Sequence, residues 1–242
     1  MKYLNIILAI LLLSTVSCKA DDQSLFEDMR SIASSGNPEA QYHLGMFYNN
    51  GIGTSKDIKK AFEAFQKSSD GGDPLGSYKV GCYYSGQGEG VVEGNQNKAL
   101  KYKLVAAKAG YVRAQQDVAE HYFRNNDFKE AILWWEKAAS QGYPSAFYSL
   151  FSMYYDKKYN SKDWAKAYQY LLIIDRNIGE DQKQEVAQKI EEIKATLSEE
   201  QIAQAQKFAE NFNPSKTELT IKAFAGKTES IELVKKYKEG KL

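Results

Sequence analysis

The chain has few of the residues on which disulfide-stapled, disordered and nucleic-acid-binding proteins depend. It contains 242 residues, of which only 2 are cysteines and 4 are prolines. Two cysteines cannot supply a disulfide framework. Its 32 lysine and arginine side chains are almost balanced by 31 aspartate and glutamate side chains. Because no overall positive field attracts a phosphate backbone, nucleic acid is not expected as a partner, and the 43% hydrophobic content indicates a folded protein.

Histidine is also scarce, and its scarcity narrows the chemistry that the chain could perform. His43 and His121 are the only histidines, and they are not spaced as metal ligands on one turn of a helix. Gly226-Lys227-Thr228 resembles the end of a phosphate-binding loop, but Ile221 stands where that motif requires a glycine. No motif marks a paired acid, base or nucleophile. The sequence therefore predicts no enzymatic activity, no catalytic residue, no cofactor and no metal site.

Residues 1–17 have the pattern of a signal peptide. An apolar run from Leu4 to Leu13 follows Lys2, and this run is shorter than the ~20 residues that a membrane-spanning helix needs. The segment Ser14-Thr15-Val16-Ser17-Cys18 resembles a bacterial lipobox, in which a peptidase cleaves before a cysteine that then carries the lipid. We therefore expect an exported protein on the periplasmic side of a bacterial envelope, anchored to the membrane through Cys18. The alternative is ordinary cleavage after Ala20, which would give a soluble periplasmic or secreted protein.

Cys82 has no cysteine left to pair with if Cys18 is acylated or removed. No cationic residue flanks it in Val80-Gly81-Cys82-Tyr83, so nothing in the local sequence lowers the pKa of its thiol. We expect a small buried hydrophobic side chain rather than a reactive thiol.

One short phrase recurs along the chain at a spacing typical of two-helix repeats. A glycine can end a helix in the left-handed conformation, Asn or Asp can cap the next helix, and proline fits its first turn. The glycines of the phrase are 36, 38 and 32 residues apart, which predicts repeats of paired helices. The phrase occurs as Gly36-Asn37-Pro38, Gly72-Asp73-Pro74, Gly142-Tyr143-Pro144 and, without its proline, Gly110-Tyr111-Val112.

Alignment on these glycines brings a small residue, an aliphatic residue and a tyrosine into register in each first helix. Offsets of four and eight residues place the three on one helical face. Small residues on that face predict a second helix packed closely against it. The aligned sets are Ala40, Leu44 and Tyr48; Gly76, Val80 and Tyr84; Ala114, Val118 and Tyr122; and Ala146, Leu150 and Tyr154.

The segment from Pro38 to Tyr48, the loop Asn50-Gly51-Ile52-Gly53 and the segment from Ala131 to Gly142 resemble the Sel1-like repeat (SLR) family, a branch of the tetratricopeptide-like α-solenoids. This resemblance implies an all-α fold, a right-handed α-solenoid of antiparallel helix pairs with about four repeats over residues 24–178. It also implies a non-enzymatic adaptor of the cell envelope that binds a partner protein on its concave face. An immunity protein that neutralises a secreted toxin in the periplasm is the alternative, and a cell-wall enzyme is less favoured.

Two amphipathic helices are expected after the repeats. Val186, Ile190, Ile193 and Leu197 form one apolar stripe, and Ser198 with Gln201 has the pattern of a capping box before a second helix. We expect both helices to cover the last repeat. The predicted organisation is a signal peptide at 1–17, a tether at 18–23, the solenoid at 24–178, capping helices at 179–213, and a Lys-rich, loosely docked tail at 214–242.

The predicted partner-binding surface is the stripe beside the packed face of each first helix. The resemblance implies that these helices line the concave side, where aromatic residues could act as interface anchors. Tyr42, Tyr78 and Tyr148 share one repeat offset, so a regular solenoid would place them in a row that Gln116 interrupts. The alternative is that the aromatic residues fill the core between repeats. The candidate residues are Tyr42, Met46, Asn49, Tyr78, Gln116, Glu120, Phe123, Tyr148 and Tyr155.

The lipobox resemblance predicts a mature protein that begins at an acylated Cys18. Mass spectrometry of the protein purified from the envelope should show an N-terminal peptide heavier than its sequence by the mass of the lipid. An unmodified N-terminus at Asp21 would contradict lipidation and would support cleavage after Ala20.

Overall fold

The computed structural model describes residues 21–159 and 162–242; the predicted signal peptide and Cys18 lie outside them. All regular structure in these two ranges is helical. A π-helical turn, Tyr83–Gln87, follows α4, and a 3-10 turn, Lys157–Tyr159, follows α8. The helices are α1 (21–34), α2 (Pro38–Asn50), α3 (Ile58–Asp70), α4 (Pro74–Cys82), α5 (Gln96–Lys108), α6 (Val112–Arg124), α7 (Phe128–Ser140), α8 (Pro144–Tyr155), α9 (Trp164–Asn177), α10 (Glu180–Lys194), α11 (Glu199–Asn211), α12 (Glu218–Ala225) and α13 (Lys227–Lys238).

The chain divides into two compact units. Unit 1 extends to Ala109 and also includes Ile221–Leu242, while unit 2 is Gly110–Thr220. In unit 1, α2 pairs with α3 and α4 pairs with α5. In unit 2, α6 pairs with α7 and α8 pairs with α9, and both α10 and α11 pack on α9. The pairs are the helical repeats that the sequence predicts.

The recurring glycine phrase forms the junctions between helices, as expected. Its glycines, Gly36, Gly72, Gly110 and Gly142, have φ angles of 93°, 91°, 96° and 77°. The side chain of Asn37 accepts a hydrogen bond from the Ala40 N–H at 2.9 Å. Asp73 in the same way accepts from the N–H groups of Leu75 at 2.6 Å and Gly76 at 3.0 Å. These caps confirm the predicted helix starts at α2 and α4.

The third junction lacks both the capping side chain and the proline. Tyr111 occupies the N-cap of α6 without a side-chain hydrogen bond, and Val112 carries a backbone N–H that proline would not have. This N–H donates to Oγ1 of Thr220 at 3.1 Å, and Thr220 is completely buried. A residue far along the chain therefore supplies the cap that the local sequence does not.

Gln141 holds Thr220 in place through a buried network in unit 2. Its Nε2 donates to the carbonyl oxygen of Gly110 at 2.8 Å and to Oε1 of Gln115 at 2.8 Å. Its Oε1 accepts from the Thr220 hydroxyl at 2.8 Å and from the N–H of Thr217 at 3.0 Å. Because buried polar groups are costly when unsatisfied, this network fixes residues 217–220 against the junctions that begin and end the third repeat.

The expectation of a loosely docked C-terminal tail is wrong. Leu233 and Val234 of α13 are buried in a cluster with Phe26, Met29 and Ile32 of α1. On either side of this contact, Lys238 pairs with Asp28 at 2.7 Å, and Lys227 pairs with Asp22. The many lysines of this segment suggested a solvated tail, but Leu233 and Val234 cover an apolar face of α1.

Close packing explains the glycine that follows Leu44 in the first helix of the first repeat. A Cβ built on Gly45 would lie 2.6 Å from two ring carbons of Phe65, so α2 could not approach α3 as closely with a larger residue there.

Near the C-terminal end of the array, Ser198 and Gln201 form the predicted capping box, with hydrogen bonds of 3.2 Å and 3.0 Å. Ala205 and Ala209 then bury one face of α11, whereas α10 buries only Ile193.

His43 is buried and Asp73 is half-buried in unit 1, and loss of contact with water shifts the pKa of both side chains. Burial, assisted by the positive charge of Lys222, lowers the pKa of His43 from 6.5 to about 4. Burial raises the pKa of Asp73 from 3.8 to about 6, although the backbone hydrogen bonds from Gly76 and Leu75 oppose the change. Below pH 6.5 the unfolded chain binds a proton on His43 that the folded chain excludes, whereas Asp73 binds its proton more readily in the folded chain. The two groups therefore act on stability in opposite directions as the pH falls.

We predict that His43→Gln and Asp73→Asn change the pH profile of stability with opposite signs. Relative to the unmodified protein, His43→Gln should gain unfolding free energy as the pH falls from about 6.5 to about 4, by up to ~3 kcal/mol. Asp73→Asn should lose it as the pH falls from about 6 to 3.8. Urea unfolding followed by circular dichroism at a series of pH values measures both. His121→Gln is the control, and parallel profiles for all variants would contradict the prediction.

Replacement of Thr220 by valine preserves the shape of the side chain and removes the acceptor for the Val112 N–H. We predict a loss of ~1–3 kcal/mol in unfolding free energy, because a buried donor loses its partner. Thr228→Val, at an exposed threonine of α13, should leave the unfolding free energy within ~0.5 kcal/mol of the unmodified value. Equal stability of the two variants in urea unfolding would show that Thr220 does not cap α6.

Candidate functional site

An open cavity of about 440 Å³ lies among α6, α7, α8 and the 3-10 turn of unit 2. We call it the aromatic cleft, because four of its lining residues have aromatic rings. Clefts with such walls are common ligand and peptide sites. The lining residues are Glu120, Phe123 and Arg124 of α6; Trp135 of α7; Tyr148, Ser149, Ser152 and Met153 of α8; and Tyr159.

Phe123 stands at the centre of the aromatic contacts in the cleft. Its ring centroid lies 5.6 Å from that of Trp135 and 5.5 Å from that of Tyr159. Phe128, behind the turn, contacts both Phe123 and Tyr159 at 5.8 Å and 5.3 Å. Mutually packed rings have few alternative positions, so this wall is preorganised. Tyr148 is 48% exposed and forms the opposite wall.

A polar row runs along α6 at one side of the cleft. Nε2 of Gln116 donates to Oε1 of Glu120 at 3.1 Å, and Nη2 of Arg124 donates to Oε2 of the same carboxylate at 3.1 Å. Four-residue spacing places the three side chains on one face of the helix. Arg124 neutralises the charge of Glu120, so this side of the cleft offers paired rather than free charge.

A second cavity, of about 410 Å³, lies on the other side of Tyr148. We call it the apolar slot, because α8 and α9 contribute only apolar and aromatic side chains to it. Tyr148 lines both cavities and therefore stands as a partition between them. The lining residues are Tyr148 and Phe151 of α8; Leu171 and Ile174 of α9; and Gln182, Glu185, Val186 and Lys189 of α10.

Polar contacts attach α10 to α8 beside the slot. The Tyr155 hydroxyl donates to Oε1 of Glu192 at 2.7 Å and accepts from Nζ of Lys189 at 3.0 Å. Lys189 also pairs with Glu192 at 2.8 Å. Hydrogen bonds from Lys189 and Tyr155 lower the pKa of Glu192, and those with Glu192 and Tyr155 raise the pKa of Lys189. Together with the ion pair between Lys183 and Asp175, this triad links α10 to the last repeat by polar contacts.

The structure brings the predicted residues of unit 2 together. Glu120, Phe123 and Tyr148 line one cavity. Gln116 is only 6% exposed, so it supports Glu120 from below the surface. Tyr155 holds α10 and is already occupied by contacts within the chain. Their role in partner binding stays a prediction.

In unit 1 the expected open row of tyrosines is wrong at its first member. Tyr42 is only 9% exposed, and its ring lies 6.1 Å from that of Phe65. Because Gly45 has no side chain, Phe65 of α3 can lie close to α2, and Tyr42 packs against it in the core. Asn49 of α2 accepts a hydrogen bond from the hydroxyl of Tyr83, which follows α4, at 3.1 Å. Asn49 therefore stabilises the contact between the first two repeats. Met46 and Tyr78 are half-buried.

Several cleft residues lie outside the predicted set. Arg124 and Ser149 are sequence neighbours of Phe123 and Tyr148, and a wider stripe would have included them. Trp135 belongs to a second helix, and Met153 lies on the packed side of α8, so a pattern restricted to one helical face omits both. Tyr159 follows α8 in a turn, and no repeat offset reaches it.

Other features of the described ranges bear on the site. No group of three or more His, Cys, Asp or Glu residues in 21–159 and 162–242 is arranged to hold a metal ion. None of the helices in these ranges combines the length and the apolar character needed to cross a membrane. Cys82 is buried in α4, which confirms its predicted position in the interior.

The paired helices and their small-residue contacts define an all-α solenoid repeat protein. The model of the Sel1 repeat family matches residues 38–73, 74–111 and 113–143. The fourth helix pair, α8 with α9, lies beyond these matches. Proteins with Sel1 repeats are typically non-enzymatic interaction scaffolds. The match supports membership of the SLR family.

Solved structures agree with this fold. A Sel1 repeat protein from Oxalobacter formigenes superposes with a TM-score of 0.53 at 25% identity, over 62% of this chain and 62% of that chain. The chain thus spans less than two thirds of that protein. No curated protein matches the sequence.

Two further structures are more distant. The protective antigen c5321 of uropathogenic Escherichia coli, which displays an SLR fold, has a TM-score of 0.35 at 20% identity, over 79% of this chain and 56% of that chain. The immunity protein Pa5087 from Pseudomonas aeruginosa has a TM-score of 0.35 at 17% identity, over 60% of this chain and 70% of that chain. Superpositions at these scores assign neither a role nor a partner.

We predict that Tyr155→Phe loosens α10 without unfolding unit 2. The variant keeps the ring and loses the hydroxyl that joins Glu192 and Lys189. Amide hydrogen exchange of α10 should become faster by about tenfold, which corresponds to ~1.4 kcal/mol in local opening free energy. Tyr148→Phe is the matched control on the same helix and should leave exchange in α10 unchanged. Equal exchange in the two variants would contradict a role of the triad in holding α10.

Proposed function

We propose that the protein is a non-enzymatic scaffold of the bacterial cell envelope that holds a partner protein at the aromatic cleft of unit 2. Sel1 repeats generally mediate protein interactions, which supports a protein as the partner. The observation that carries the proposal is Tyr148, an aromatic side chain 48% exposed between two cavities. Tyrosine, tryptophan and arginine are enriched among the residues that dominate binding at interfaces.

The packing of the cleft favours binding without a large ordering cost. Phe123 already contacts both Trp135 and Tyr159, so a partner does not have to immobilise these rings. Arg124 and Glu120 form a polar rim beside the rings. An apolar centre with a polar edge is the general arrangement of a specific protein interface.

Location is part of the proposal. The signal-peptide pattern and the lipobox resemblance at Cys18 support export to the periplasmic side of the envelope and attachment there by lipid. Such attachment would keep the captured partner near the membrane. Nucleic acid is not proposed as a partner.

The test is affinity capture from the native envelope followed by single substitutions. Tyr148→Ala should weaken capture of the principal partner by tenfold or more, because truncation of an interface anchor costs ~2 kcal/mol. Tyr237→Ala is the matched control, since Tyr237 is 45% exposed and lies in unit 1. Circular dichroism should show unchanged helicity in both variants.

Unchanged capture by a folded Tyr148→Ala variant would contradict the cleft as the binding site. The captured proteins also distinguish the two roles that the sequence predicts. Several partners of modest affinity would support a general adaptor. A single toxin bound tightly, encoded by a neighbouring gene, would support the immunity alternative.

A further inference from the structure

We propose that the segment held at Tyr148 is a basic amphipathic segment of the partner, with one apolar side chain in the aromatic cleft, another in the apolar slot, and a lysine or arginine against the acidic first half of α10. The inference rests on the proposed function and adds the chemistry of the partner. It rests on the two cavities, on Tyr148 between them, and on an excess of acidic side chains beside the slot only.

The two cavities set the spacing of the apolar side chains. Their volumes are about 440 Å³ and 410 Å³, and Tyr148 lines both. Pockets of roughly 300–1,000 Å³ bury ligand groups effectively. A segment that crosses Tyr148 can therefore place one bulky side chain on each side of the ring, as peptides do when they bind through alternate apolar anchors.

The charges around the aromatic cleft are already paired. Glu120 is bound by Arg124, and Lys158, which lies over the Tyr159 ring at 4.6 Å, pairs with Asp156 at 2.8 Å. This side of the surface selects neither sign of charge strongly. The apolar anchor that enters the cleft therefore needs no charged neighbour.

The slot side is different, because α10 carries more acidic than basic side chains. Each of its lysines pairs with an acidic residue: Lys183 with Asp175 at 3.3 Å, Lys189 with Glu192 at 2.8 Å and Lys194 with Glu191 at 3.6 Å.

The acidic residues Glu180, Asp181 and Glu185 lie in the first half of α10, and all three are exposed. Glu185 lines the slot itself, and Asp181 precedes it by one helical turn. The slot residues on α8 and α9 are uncharged. Lys189 of α10 also lines the slot, but its ammonium already pairs with Glu192 and donates to the Tyr155 hydroxyl, so it is not free to offset Glu185.

A partner that fills the slot must therefore cover or approach Glu185. An acidic segment would be repelled there, whereas a lysine or arginine beside the apolar anchor would complement the carboxylate. Complementary charge of this kind mainly sets the choice of partner and the rate of association, while the apolar anchors supply affinity.

The experiment uses two labelled synthetic peptides with identical apolar positions, one with lysine and the other with glutamate at every polar position. Fluorescence anisotropy with the processed, unacylated protein should show the lysine peptide binding at least tenfold more tightly than the glutamate peptide. Tyr148→Ala should weaken the lysine peptide by about tenfold. Glu185→Lys should weaken the lysine peptide and strengthen the glutamate peptide.

Glu199→Lys is the control for net charge, because Glu199 is an exposed residue in the first turn of α11. It should change neither affinity by more than twofold. Equal binding of the two peptides, or the same effect from Glu185→Lys and Glu199→Lys, would overturn the inference.

Capture of the native partner with the same two variants distinguishes failure of this inference from failure of the proposed function. Loss of capture with Tyr148→Ala but not with Glu185→Lys would retain the cleft as the binding site and would overturn the basic character of the partner. Unchanged capture with Tyr148→Ala would overturn both.

Discussion

One buried backbone N–H, that of Val112, is central to the attachment of residues 217–220 to unit 2. Val112 stands where the other three junctions of the recurring glycine phrase have proline, and its N–H must find an acceptor once it leaves water. Thr220 supplies that acceptor at 3.1 Å, and Gln141 fixes Thr220 by a further hydrogen bond. Residues 217–220 are therefore held at unit 2, and the chain leaves from that point to form α13, which packs on α1 within unit 1.

Local physical rules made most of the fold predictable. Glycine, a capping side chain and proline in succession determine where α2 and α4 begin, because each residue acts on the backbone beside it. The capping box at Ser198 and Gln201 is predictable for the same reason. The supply of a cap by Thr220 is not, because a hydrogen bond between residues 108 positions apart leaves no periodic trace in the sequence. The burial of Leu233 and Val234 was not predictable for the same reason. These residues are buried because they pack against an apolar face of α1, which lies at the other end of the sequence.

The candidate site was partly predictable. Glu120, Phe123 and Tyr148 follow from one helical face and one repeat offset, and these are the residues that the structure brings together. Tyr42 shares that offset and is buried, because the glycine three positions later admits Phe65. Identical offsets therefore give different exposure when the facing helix carries a different side chain. Trp135 and Tyr159 come from another helix and from a turn. No sequence pattern links them to Phe123, because only the packing of the repeats brings them to the same cleft.

Thr220 is synthesised long after the helix that it caps. A ribosome that has just added Val112 must add 108 more residues before Thr220 exists. At 5–20 residues per second this takes roughly 5–20 s. For most of that interval all residues of the third repeat have been added, but its first helix, α6, still lacks the cap that Thr220 supplies. Unit 2 therefore reaches its final hydrogen bonding only after its last residue has been added, whereas the caps of α2 and α4 need only residues of their own repeats.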